Sequence, residues 1–159
     1  MREAITAALA AREPGLQLRR ALESLLKRDR YLLEVDANER TITARLALYL
    51  QAEIPNWHVD CEYNRDGIEP KRLGHLELDP NSEDTEARTV FPDIVVHERG
   101  TSNNYLVLEL KKSSNTVSRD IDFSKLRGYR SQLKYKHAVF IEVEVGNEPD
   151  VALVEWVDA

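Results

Sequence analysis

The sequence predicts a mixed α/β domain with helices packed on a central β-sheet. Three observations carry that expectation. Apolar residues recur at helical spacing ahead of residue 55 and again over 119–135. Between and after those stretches they alternate with polar residues, or run together, as in strands. The order is helices, three or four strands, a helix, then two strands, which lays helices against a sheet.

Residues 2–12 and 15–30 read as two helices separated by Pro14-Gly15. The second puts Leu16, Leu18, Leu22, Leu25 and Leu26 near one face, with Arg19, Arg20, Lys27 and Arg28 on a solvated side. A third helix spans about 37–52. Asp36 is its expected cap, with Glu39 at the third helical position completing a capping box. Ile42, Leu46, Tyr49 and Leu50 form its stripe, and Pro55 ends it. Over 57–65, Trp57, Val59, Cys61 and Tyr63 alternate with His58, Asp60, Glu62 and Asn64, a half-buried strand. A strand near 72–79 and a mobile tip at 80–87, with the acidic Glu83, Asp84 and Glu86, are expected next. Strands over 89–97 and 104–111 flank a hairpin loop around Gly100 and are therefore antiparallel. A helix over 119–135 follows, with Phe123, Leu126, Arg130 and Leu133 along one side. Strands at 138–145 and 151–157 turn at Gly146.

At 159 residues the chain fits one domain able to bury a core. A hydrophobic content of 42% with 31% charged residues argues against disorder. Cys61 is the single cysteine, which excludes an intramolecular disulfide and a cysteine-rich zinc site. His58, His75 and His137 have no zinc spacing. The N-terminus reads as an amphipathic helix and not a signal peptide. No run has the length of a membrane span, so a cytoplasmic protein with no membrane partner is expected. A net charge of −6 runs against a dedicated nucleic-acid binder, although local patches and bound ions can still set the local field.

Chemistry concentrates in two strands. Tyr105, Val107, Glu109 and Lys111 share one face by alternation, with Leu106, Leu108 and Leu110 opposite. Asp93, Val95 and His97 likewise share a face. Aligned across a hairpin, Asp93 and Glu109 approach to about 5 Å at Cβ. Two carboxylates that close repel, and a hard divalent cation removes the repulsion. Magnesium takes oxygen ligands at about 2.1 Å and keeps several waters, so one or two carboxylates suffice. Lys111 could orient a water or stabilise charge developing on a phosphate. Glu39 lies in line with Ile42 and Leu46, so it either serves the cap or points inward to a metal or a bridging water. The tripeptide Glu-x-Lys is weak on its own, since Glu69-Pro70-Lys71 repeats it without a carboxylate strand ahead.

Pro92-Asp93 and Glu109-Leu110-Lys111, with Glu39 ahead of them, resemble the motif of the PD-(D/E)XK, or restriction-endonuclease-like, nuclease superfamily. Residues 37–145 follow that family's core order of helix, three strands, helix, strand. Asn38-Glu39-Arg40-Thr41, Cys61-Glu62-Tyr63-Asn64-Arg65 and Pro92-Asp93-Ile94-Val95-Val96-His97 also resemble small, uncharacterised bacterial members. The resemblance implies a three-layer core with a mixed central sheet. Residues 1–36 would be a helical extension and 146–159 a C-terminal strand of one domain. It implies Mg²⁺ or Mn²⁺ held by Asp93, Glu109 and the backbone carbonyl of Leu110, with Lys111 catalytic and Glu39 the extra acid. It also points to the 119–136 helix, where Lys125, Tyr129 and Gln132 cluster, as a source of polar groups; Lys125 and Gln132 are substrate-binding candidates. His97 either contacts substrate or is a surface histidine at a strand end. Glu62, Asn64 and Arg65 either line the cleft or pair with one another. Six basic residues against Asp120 and Asp122 make that helix either a phosphate-holding patch or a solvated face.

The expected function is metal-dependent hydrolysis of phosphodiester bonds, with DNA the favoured nucleic acid. A catalytically silent binding or assembly module and an RNA-directed nuclease are the alternatives. With so little chain outside the core, specificity would come from a homodimer or a partner protein.

Overall fold

The computed structural model describes residues 1–66, 69–73 and 88–158. Helices α1 (Glu3–Ala10), α2 (Gly15–Arg28), α3 (Arg30–Glu34) and α4 (Glu39–Glu53) precede β1 (His58–Cys61). The short strands β2 (Arg65–Asp66), β3 (Glu69–Pro70), β4 (Arg72–Leu73) and β5 (Arg88–Thr89) form two small ribbons, β2 with β3 and β4 with β5. Then come β6 (Ile94–His97), β7 (Asn104–Lys112), α5 (Arg119–Gln132), β8 (His137–Val143) and β9 (Val151–Trp156). The main sheet runs β1-β6-β7-β8-β9, with β7 and β8 parallel and every other pair antiparallel.

Alternation along the central strands feeds two cores. Ile94, Val96, Leu106, Leu108, Leu110, Val139 and Ile141 face α1, α2 and α4, where Leu9, Leu22, Leu25, Ile42 and Leu46 complete the first core. Val95, Val107, Ala138 and Phe140 face the other way, against Leu126 and Tyr129 of α5 and Leu73 of β4. With both faces covered, the central strands read as near-continuous apolar runs. Helices, sheet and a second helix therefore make a mixed α/β arrangement of three layers. Gly128 lets α5 press onto β4, since a Cβ there would lie 2.8 Å from a Leu73 methyl. Among the described residues, no helix is long and apolar enough to cross a membrane.

Several expectations need correction. Leu16 is 51% exposed and lies outside the α2 stripe. The α4 cap is Asn38, whose side chain accepts from the Arg40 N–H at 2.9 Å. Asp36 adopts a left-handed φ of 52° and bonds Lys112 and Ser114 instead, so Glu39 opens the helix and makes no capping box. The 57–65 strand stops at Cys61, where Glu62 takes a φ of 49°. The 89–97 run splits, because Pro92 has no N–H to offer a ladder; Arg88–Thr89 pairs with β4 and the main-sheet strand begins at Ile94. Tyr105 does not share the face of Glu109. The register slips between Val96 and His97, and this bulge turns Tyr105 onto Trp57 beside the first core. Of the strand expected near 72–79 only Arg72–Leu73 is described. The rest, with the 80–87 tip and His75, lies outside the described residues.

Candidate functional site

The β6–β7 register pairs Ile94 with Leu108, and continuing it by one residue brings Asp93 beside Glu109. The Asp93 carboxylate accepts the Leu110 N–H at 2.8 Å. Glu109, 2% exposed, lies under α5. One of its oxygens is 3.4 Å from the Lys125 ammonium; the other, Oε1, is buried with no hydrogen-bond partner. Lys111, 5% exposed, donates to Asp122 of α5 at 2.8 Å. The other Asp122 oxygen is 3.9 Å from Lys125. Tyr129, one turn further along α5, is buried beside the same carboxylate. Burial first, and then the nearness of Glu109, raise its phenol pKa, although neither Tyr129 Oη nor Glu109 Oε1 meets hydrogen-bond geometry with any group.

The electrostatics follow from this packing. Burial raises Asp93 to about 6. The Leu110 N–H and Lys125 oppose the rise, while Glu39 and Asp122 add to it. Glu109 is pushed well above its ordinary value, by burial first and then by Asp93. Burial alone would lower Lys125, but Glu109, Asp122 and Asp93 together hold it above its usual value. Three acids, Asp93, Glu109 and Asp122, thus share two lysines, and burial makes ionising the inner two costly.

Glu39 approaches from the opposite layer. It accepts the Lys112 N–H at 2.9 Å, and the Asn115 amide donates to both of its oxygens, at 3.1 and 3.3 Å. It thereby ties α4 to the end of β7. Asp93, Glu109, Leu110, Lys111, Lys125 and Glu39 thus converge where β7 ends. No group of three or more His, Cys, Asp and Glu side chains arranged to hold a metal ion forms among the described residues. A hard cation that keeps its waters needs only one or two carboxylates.

Three other candidates lie elsewhere. His97 is four residues from Asp93, about 13 Å along the strand. It is 1% exposed, 2.9 Å from Asp60 and against the Tyr63 ring, so it is no surface histidine. Arg65 is exposed on β2, next to Asp66, which accepts from Asn104 at the start of β7. Gln132 closes α5 seven residues beyond Lys125, about 10 Å along the helix. The basic charge of α5 is largely engaged within the chain. Arg119 pairs with Glu142 at 2.6 Å, Arg130 donates to the carbonyls of Tyr135 and Lys136, and Lys134 donates to that of Ser131. Glu62 pairs with Arg40.

Asp122 and Asn115 join the cluster without having been singled out by the sequence. For Asp122 a signal existed: it precedes Lys125 by three residues and Tyr129 by seven, one face of a helix. Asn115 carried none. A cleft of about 350 Å³ lined by Leu9, Arg12 and Leu16 belongs to the α1–α2 junction and contains none of these residues. No family model, curated protein or solved structure matches the chain.

Proposed function

We propose that the chain is a metal-dependent nuclease of restriction-endonuclease-like fold, cutting phosphodiester bonds of nucleic acid, with DNA the favoured substrate, in the cytoplasm. The carrying observation is Glu109, a carboxylate buried to 2% exposure beside Asp93 with one oxygen left unpartnered. An ionised carboxylate is costly to bury unless a cation offsets it, and the Lys125 contact at 3.4 Å is long for a charge pair. The order α4, β1, β6, β7, α5, β8 supports the fold reading, since it repeats the helix, three strands, helix, strand of the resembling family.

The donors fit Mg²⁺ or Mn²⁺. Asp93 and Glu109 supply hard oxygens. In a strand the C=O and N–H of one residue leave on the same side, so the Leu110 carbonyl is on the side where Asp93 takes its N–H. These three groups would hold the ion. When bound, it supplies Lewis acidity, making a water more acidic and offsetting charge on the phosphate. Lys111, steadied by Asp122, presents an ammonium on the Glu109 face that can orient the attacking water or the phosphate. Glu39 holds the Lys112 backbone N–H and the Asn115 side-chain amide, and so the end of the strand that carries both groups.

A second reading is a silent binding or assembly module. The observation in its favour is that Asp122 and Glu109 already engage both lysines in a chain of net charge −6. The test incubates the protein with single- and double-stranded DNA and RNA in Mg²⁺, Mn²⁺ or EDTA, beside Asp93→Ala and Lys111→Ala. Cation-dependent cutting lost in both variants is expected. Cutting that survives in both sinks the site, and cutting of RNA alone reassigns the substrate. Binding without cutting, with or without a second copy or partner protein supplying specificity, supports the module.

A further inference from the structure

Lys125 stands between two acids of different depth. Its ammonium is 3.4 Å from Glu109 and 3.9 Å from Asp122, tight to neither. The Lys125 side chain is 29% exposed, against 3% for Glu109 and 14% for Asp122. A lysine head on a flexible four-carbon stem moves between such neighbours at little cost. Asp122 is a built acceptor for it: one oxygen takes Lys111 at 2.8 Å and the other faces Lys125.

Charge counting shows why the position matters. Asp93, Glu109 and Asp122 face Lys111 and Lys125, three carboxyl groups around two ammonium groups. A divalent ion at Asp93 and Glu109 reverses that balance and repels the ammonium nearest Glu109. We infer that Lys125 is the resident counter-ion of this seat, holding Glu109 until a divalent cation displaces it towards Asp122. This rests on the nuclease reading, and it assigns the α5 lysine to control of cation entry instead of substrate contact.

Mn²⁺ affinity of the full chain, measured by calorimetry without nucleic acid, tests it. Removing a unit charge a few ångströms from a divalent ion is expected to tighten binding about tenfold or more in Lys125→Met. Lys125→Gln repeats the measurement with a polar side chain should methionine disturb folding, and Lys125→Arg, which keeps the charge, stays near wild type. Asp122→Asn weakens Mn²⁺ binding more in the wild-type background than beside Lys125→Met, a coupling that a double-mutant cycle reads directly. Equal or weaker binding by both neutral Lys125 variants, with Glu109→Gln still abolishing it, overturns the exchange and leaves the seat standing. Undiminished binding by Glu109→Gln, or no binding by wild type and Lys125→Met alike, overturns the seat and the nuclease reading together.

Discussion

At the C-terminal end of β7, carboxylates are buried beneath α5; elsewhere in the molecule, Tyr63 after β1 and Tyr135 after α5 enclose a cation. Lys71 is 0% exposed, with its ammonium 4.7 Å from the centre of the Tyr63 ring and 5.4 Å from that of Tyr135. It donates to the Tyr63 carbonyl at 3.3 Å and, among the described residues, has no carboxylate at ion-pair distance. Ring faces offset part of the cost of burying that charge. Asp60, next to it, is held low by Arg99 and then by His97. The lysine region satisfies itself with protein groups and is closed. The acid region leaves an oxygen unpartnered beside the half-buried Asp93 and Lys125. Buried charge alone therefore does not set the proposed site apart; the unpartnered Glu109 oxygen beside a half-buried acid and lysine does.

The largest expected effect separates the two regions by function. Lys111→Met lowers kcat by about 10²–10³ in a cutting assay, whereas Lys71→Met leaves the rate unchanged. The reverse result breaks the comparison outright. Stability should separate them the other way. Lys71→Ala opens a hole behind one of the largest fully buried side chains and costs about 2–5 kcal/mol by urea unfolding above pH 10.5, where the amine is neutral in both states; a change below the scatter of the midpoint there would mean the box is loosely packed.

Acid and alkali sharpen the contrast. Asp93 rises from 3.8 to about 6 on folding, so the stability it contributes is present below pH 3.8 and lost as pH climbs through about 6. Burial lowers Lys71 from 10.5 to about 8, so its contribution is present above pH 10.5 and lost as pH falls through about 8. Asp93 therefore pulls thermal midpoints in EDTA down across the first window, and Lys71 pulls them up across the second. Asp93→Asn flattens the first slope, Lys71→Met flattens the second, and Mn²⁺ weakens the first alone. A slope that survives its own variant belongs to another group. The smallest effect is His97→Asn, which leaves cutting unchanged and costs about 1 kcal/mol through the lost Asp60 contact.

The meeting of Asp93 with Glu109 and Lys111 was legible because strand alternation and a short hairpin are local rules. Glu39 was legible as an inward acid from its line with Ile42 and Leu46. Its partner was not, since Lys112 lies far along the chain. The cap was misread because Asp36 and Asn38 both have capping side chains and only backbone conformation chooses between them. Tyr105 was misplaced because nothing in its neighbours announces the bulge. Lys71 read as an idle copy of a motif; the two tyrosines that box it come from separate elements.

The sequence by itself determined the faces of β6 and of β7 beyond Tyr105, the order of the main helices and strands, and the carboxylate pair, because apolar periodicity and hairpin closure act over a few residues. Tertiary structure alone decided that α5 docks with Asp122 on Lys111 and Lys125 on Glu109, that Glu39 braces the end of β7, and that Lys71 is sealed away. Those pairings join distant segments, and their strength comes from burial and low local dielectric, which no spacing along the chain encodes.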